Sequence, residues 1–301
     1  MAVVTPRGQR FGTAMVLASA TGFGTLSILA KLGYAAGLGA QQMLACRFLL
    51  AAVGMVAIAA LAGQNPLLLG RSNLLTLLSM GGLFYSAQSL TYFLALRTLP
   101  ASLVVLIAYI YPSLVVAAGW LFLKRAITAK HGAALAASFL GLALLVGGTH
   151  FQFTWALLLA LASPVVYTGY ILVGERVMGS VPALAASAVI MVGAAVGFSL
   201  IAAVTNELTL PRSLSGWAVV LALALLPTML AITLFLAGLP RVGASRAALL
   251  STWEPVVTVM LAVVLLGDRL SILQVLGGML VLLAVVVVQS AQLWPRPRAS
   301  I

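Results

Sequence analysis

Residues 101–125 read ASLVVLIAYIYPSLVVAAGWLFLKR, and residues 244–269 read ASRAALLSTWEPVVTVMLAVVLLGDR. Each begins on Ala-Ser and ends on charge, and the spacing from Ser102 to Pro112 is kept from Ser245 to Pro255. Under the same shift Leu106 falls on Leu249, Val116 on Val259 and Leu123 on Leu266. Each stretch holds the run of about 20 apolar residues that a membrane-crossing helix needs. One spanning unit therefore occurs twice, and the chain reads as a duplicated membrane protein.

The rest of the chain agrees. Of 301 residues, 63% are hydrophobic and only 7% charged, and mean hydropathy is +1.19. Soluble domains carry roughly a quarter of their residues as charges. Apolar runs predict spans at 11–34, 40–62, 72–96, 101–123, 130–148, 153–177, 182–205, 214–238, 244–266 and 271–291. Breakers such as Gly63-Gln64-Asn65-Pro66, Leu99-Pro100, Val181-Pro182, Pro211 and Pro240 separate them. No connection is long enough for a soluble domain. The first run, from Phe11, resembles a signal peptide superficially. It is longer than a signal core and contains Lys31, so it reads as a permanent span.

The net charge of +12 does not point to nucleic acid. The basic residues sit singly or in pairs between apolar runs rather than on one polar face. With ten spans and a cytoplasmic N-terminus, Arg7, Arg10, Arg71, Lys124, Arg125, Lys130, Arg176, Arg241, Arg246, Arg296 and Arg298 lie inside. Lys31, Arg97, Arg212 and Arg269 lie outside. That is the positive-inside bias, with both termini cytoplasmic. A repeat of five spans, 11–148 and 153–291, is odd, so the second copy enters from the opposite side. Inverted repeats are typical of secondary transporters.

Several motifs, in order, resemble the EamA domain of drug/metabolite transporters. They are Arg47-Phe48, Tyr111-Pro112-Ser113, Glu254-Pro255 and Gly267-Asp268-Arg269-Leu270-Ser271. That family usually has Glu where Asp268 stands. The resemblance covers residues 11 to 291, and the chain looks most like the bacterial branch that exports aromatic amino acids. It implies an all-α integral membrane fold: ten transmembrane helices as two inverted five-helix repeats around a central cavity. It also implies efflux of aromatic and other neutral amino acids, or related metabolites, across a bacterial inner membrane.

Polar side chains inside spans are the candidate site, because lipid excludes them. Tyr85, Gln88, Ser89 and Tyr92 recur on one helical face. They suit either a cargo with a ring and polar ends or a helix seam. Ser163, Tyr167, Tyr170 and Gly174 repeat the pattern beside Pro164, which either opens the helix to a ligand or kinks it for packing. Tyr109, Thr228 and Trp253 complete the candidate binding set, with Trp253 expected in the core or at the cavity. Glu254 is the acid near the middle of a span. It reads as a carboxyl bonded to a neighbouring helix, perhaps through Arg47, as a proton-coupling group, or as a counter-charge for a cargo ammonium. Arg47 itself reads as snorkelling toward the outer surface, with a cargo carboxylate as its alternative partner. Gly193 and Gly197 mark close helix packing within one chain or between two.

The catalytic inventory is thin. There are four acids, His131 and His150 are far apart, and there is no P-loop. Cys46 is alone, so neither an intrachain disulfide nor a thiol metal site is expected. The expectation is no enzyme, cofactor or metal, a small-molecule cargo, the lipid bilayer as partner, and a monomer in preference to a dimer. Export of other metabolites or drugs, a channel and a scaffold are the alternatives.

Overall fold

The computed structural model describes residues 6–124, 128–147, 154–177 and 180–291. Arg125, His150, Arg296 and Arg298 lie outside the described residues, as do the proposed repeat edges at 148 and 153 and the side chains of Arg7 and Ser245. Among the described residues the secondary structure is helical, with no strand. In lipid a helix satisfies its own backbone, which is why an apolar chain takes this form.

The helices run α1 (Pro6–Gly24), α2 (Leu26–Ala35), α3 (Ala40–Leu61), α4 (Arg71–Ser79), α5 (Ser86–Leu96), α6 (Ala101–Ala108), α7 (Tyr111–Leu123) and α8 (Ala129–Gly147). Then follow α9 (Trp155–Val177), α10 (Ala183–Val204), α11 (Leu214–Ala224), α12 (Ala231–Val242), α13 (Ala244–Ser251), α14 (Trp253–Leu266) and α15 (Ile272–Ala291). Breaks at Thr25, at Tyr109–Ile110 and at Thr252 divide three longer runs. Wide π turns, Met80–Tyr85 and Leu225–Leu230, join α4 to α5 and α11 to α12.

Nine of these runs, among the described residues, are long and apolar enough to cross a membrane. They coincide with nine of the ten predicted spans to within a few residues. The remaining span, 72–96, is helical throughout as α4, π turn and α5. Ser79, Ser86, Gln88, Ser89 and Thr91 dilute its apolar character. The helix expected to carry the cargo site is thus the least membrane-like one.

The principal packing partners are α8 with α15, α3 with α10, α1 with α12, and α5 with α9. Glycine lets the first pair approach closely. A Cβ on Gly141 would lie 2.7 Å from the Gly277 carbonyl, and one on Gly277 2.6 Å from the Gly141 carbonyl. Gly197 likewise sits against the Gly82 backbone in the first π turn, where a Cβ would lie 2.7 Å from the Gly82 carbonyl. The Gly193/Gly197 pair therefore makes its close contact within the chain.

The second π turn follows from Pro227, which has no N–H to give the Leu223 carbonyl. The Thr228 hydroxyl donates there instead, at 2.8 Å. Ser86 does the same for Gly81 at the first turn, at 3.0 Å. Asp268 explains its motif. Gly267 ends α14 in a left-handed conformation (φ 70°). The next residue's carboxylate then accepts from the Ser102 N–H at 3.0 Å and the Ser102 hydroxyl at 2.7 Å, capping α6.

Candidate functional site

A cavity of about 170 Å³ opens where α1, α2, α5, α6, α7, α9 and α14 converge. The π turn and α5 contribute Tyr85, Gln88 and Tyr92, the spacing read from the sequence. The break between α6 and α7 brings in Tyr109 and Tyr111, α9 brings Ser163, Pro164 and Tyr167, and α14 brings Glu254. Phe23, Leu26, Val105 and Ala108 close the wall. A larger groove of about 570 Å³ lies between α3, α4 and α10, but its only polar lining side chain is Asn65. It has too little to orient a polar ligand, so the smaller cavity is the candidate site.

The rings form a connected set. Tyr111 meets Tyr167 edge to face at 4.8 Å, and Tyr167 stacks on Tyr170 at 5.5 Å. Tyr170 lies 5.7 Å from Tyr85, whose ring meets Phe48 edge-on at 5.4 Å. Tyr109 meets Tyr111 at 6.1 Å. Such edge-to-face and offset pairs fix ring orientation. The hydrogen bonds are more local. Tyr92 shares one with Ser27 at 2.6 Å. The Gln88 amide donates to Ser163 at 3.1 Å and accepts from Ser89 at 3.2 Å. The Tyr109 hydroxyl lies 2.8 Å from the Ser251 carbonyl and 3.0 Å from Glu254 Oε2. The hydroxyls of Tyr111 and Tyr167, and Glu254 Oε1, have no hydrogen-bond partner among the described residues.

Of the sequence candidates, Tyr85, Gln88, Tyr92, Tyr109, Tyr167 and Glu254 line this one cavity. Four lie elsewhere. Ser89 is buried at the edge, bonded to Gln88. Tyr170 stands behind Tyr167 as its stacking support. Thr228 is fully buried between the Leu223 carbonyl and Arg47. Trp253 is 42% exposed, its indole N–H donating to Thr21 at 3.2 Å. The expectation of an inward tryptophan is corrected by the break at Thr252, which restarts the helix with Glu254, not Trp253, at the cavity.

Arg47 also differs from expectation. It does not snorkel but is 1% exposed. Its Nε donates to Thr228 at 2.8 Å, and the guanidinium lies over the Phe48 ring at 4.7 Å and near Phe93 at 6.0 Å. The pairing of Glu254 with Arg47 does not form; the carboxylate's neighbour is Tyr109. Tyr111 is the polar side chain of the wall missing from the candidate set, along with the apolar Phe23, Leu26, Val105 and Ala108. Its signal was in the repeat, since it precedes Pro112 as Glu254 precedes Pro255.

Among the described residues no cluster of His, Cys, Asp or Glu could hold a metal. Rings, an amide, a serine hydroxyl and one acid can bind and release a small molecule.

The sequence matches the profile of the EamA-like transporter family over residues 10–147 and again over 154–290. A 153-residue segment is 29% identical to the "Uncharacterized transporter YcbK" of Bacillus subtilis (strain 168), covering 48% of this chain and 49% of that protein. The match thus spans about half the length of that curated relative. A protein of known crystal structure, 21% identical in sequence, shares the fold with a TM-score of 0.63 over 92% of this chain and 96% of its own.

Proposed function

The chain belongs to the EamA-like transporter family, and from that premise we propose that it is a secondary transporter exporting aromatic and other neutral amino acids, or related metabolites, by alternating access. The YddG-type aromatic amino-acid exporters are the branch it most resembles. The observation that carries this reading is the cavity itself. Its wall comes from both halves of the sequence, with Tyr85, Tyr92 and Tyr111 from one and Tyr167 and Glu254 from the other. A site shared by two halves is released when one rocks against the other.

In this reading the polar run 71–96 is a tenth crossing and the two five-helix halves, 11–148 and 153–291, are inverted. Backbone details support it. The spacing that carries Pro112 onto Pro255 also carries the break at Tyr109 onto the break at Thr252. It carries Gly63 onto Asn206 and Lys124 onto Gly267, all four with positive φ. Packing exchanges likewise, α1 with α12 matching α9 with α5. With both termini cytoplasmic, the site sits near the midplane of a bacterial inner membrane. Gly193 and Gly197 are used inside the chain, which supports a monomer.

The test is uptake of a panel of labelled neutral amino acids by liposomes containing the purified protein. Saturable uptake of an aromatic amino acid supports the reading. Uptake of none of them removes the amino-acid assignment, and flux without saturation replaces the transporter with a channel.

A further inference from the structure

The cavity's chemistry is that of a cation site. Resting on the reading of this cavity as the cargo site, we propose that its preferred cargo is a single-ring aromatic monoamine, an ammonium without a carboxylate, held at Glu254 within the tyrosine cage.

Hydrogen-bond donors are what the acid end lacks. Glu254 Oε1 has no partner among the described residues, and Oε2 shares the single Tyr109 proton with the Ser251 carbonyl. An ammonium brings three N–H donors and a full positive charge to that deficit. The rings add to this. Tyr109 and Tyr111 stand beside the carboxylate and meet at 6.1 Å, and Tyr167 meets Tyr111 at 4.8 Å. Aromatic faces attract cations, most strongly where water is excluded.

A carboxylate on the cargo finds no such match. No basic side chain lines the cavity among the described residues. The buried cation, Arg47, is engaged by Thr228, the Phe48 ring and Tyr85, and stands behind the wall, not in it. The Gln88 amide is tied to Ser163 and Ser89. A cargo carboxylate therefore finds fewer partners on this wall than an ammonium does. Size points the same way. The space is about 170 Å³, and a cavity of about 150 Å³ admits a benzene ring. One ring and a short tail fill that space.

The test uses the full chain, purified in detergent, and calorimetric binding of three matched ligands. These are 2-phenylethylamine (ammonium only), phenylalanine (both charges) and 3-phenylpropionate (carboxylate only). The amine is expected to bind at least about tenfold more tightly than phenylalanine, the ratio that one unmatched buried charge produces, and 3-phenylpropionate not to compete. Glu254→Gln is expected to weaken the amine at least about tenfold and phenylalanine less. If phenylalanine binds as tightly as the amine or more tightly, the monoamine proposal is overturned while the amino-acid reading stands. If none of the three binds, the cargo-site reading falls and takes the proposal with it. Should Glu254→Gln fail to fold, the three-ligand comparison on the unaltered chain still decides.

Discussion

The Tyr109 hydroxyl stands 3.0 Å from the Glu254 carboxylate and 2.8 Å from the Ser251 carbonyl, so one proton faces two acceptors. The contact joins the first half of the sequence to the second at the wall of the cavity. It also makes the acid end short of donors before any ligand arrives. Tyr109→Phe removes the shared proton and leaves two acceptors facing an apolar ring. A loss of about 1–3 kcal/mol is expected, the cost of orphaning a buried polar group. Thermal unfolding of the purified variant measures it, and an unchanged midpoint would show that the hydroxyl carries no such bond.

Arg47 and Thr228 form a second link between the halves, at 2.8 Å. The Thr228 hydroxyl also serves the carbonyl that Pro227 leaves bare. Arg47→Met and Thr228→Val should therefore be non-additive, with a coupling of about 1–3 kcal/mol for a bond to a charged group. A double-mutant cycle on unfolding midpoints reads this directly. Additive effects would mean that the guanidinium is held by its aromatic neighbours alone.

Gly193 and Gly197 press on the first π turn. Gly193→Leu is expected to cost at least about 1–3 kcal/mol by overpacking, because backbone and not a movable side chain meets the new atoms. The readout is the yield of monodisperse protein on gel filtration. Full yield at the normal midpoint would contradict the close contact.

Much of this arrangement was legible in the sequence, and the exceptions have physical reasons. Tyr85, Gln88 and Tyr92 were legible because helical spacing alone puts them on one face, and the structure lines the cavity with all three. Trp253 was misplaced because a one-residue break at Thr252 resets which side chain turns inward, and no periodicity reveals such a break. Arg47 was misplaced because a buried arginine needs a partner. Its partner, Thr228, is positioned by a π turn that only Pro227 hinted at. Tyr111 is hidden inside the Tyr111-Pro112-Ser113 motif, although its place in the repeat matches that of Glu254.

The crossing number can be tested from the aqueous sides. With Cys46 replaced by Ala, Asn65→Cys and Thr98→Cys place single thiols at exposed positions on either end of the run 71–96. If that run crosses, an impermeant maleimide labels Thr98→Cys in intact cells and Asn65→Cys only after lysis. Labelling of both from the same side would leave nine crossings and would place the termini on opposite faces.

The most direct measurement is counterflow. Liposomes holding the protein are loaded with unlabelled phenylalanine and diluted into a trace of labelled phenylalanine, with Tyr167→Ala vesicles run in parallel. The expected result is a transient accumulation of label by the native chain and at least a tenfold slower one, roughly, by Tyr167→Ala, in which a wall of the cavity is lost. Equal counterflow by the two, or none by the native chain, would contradict transport of this cargo through this cavity.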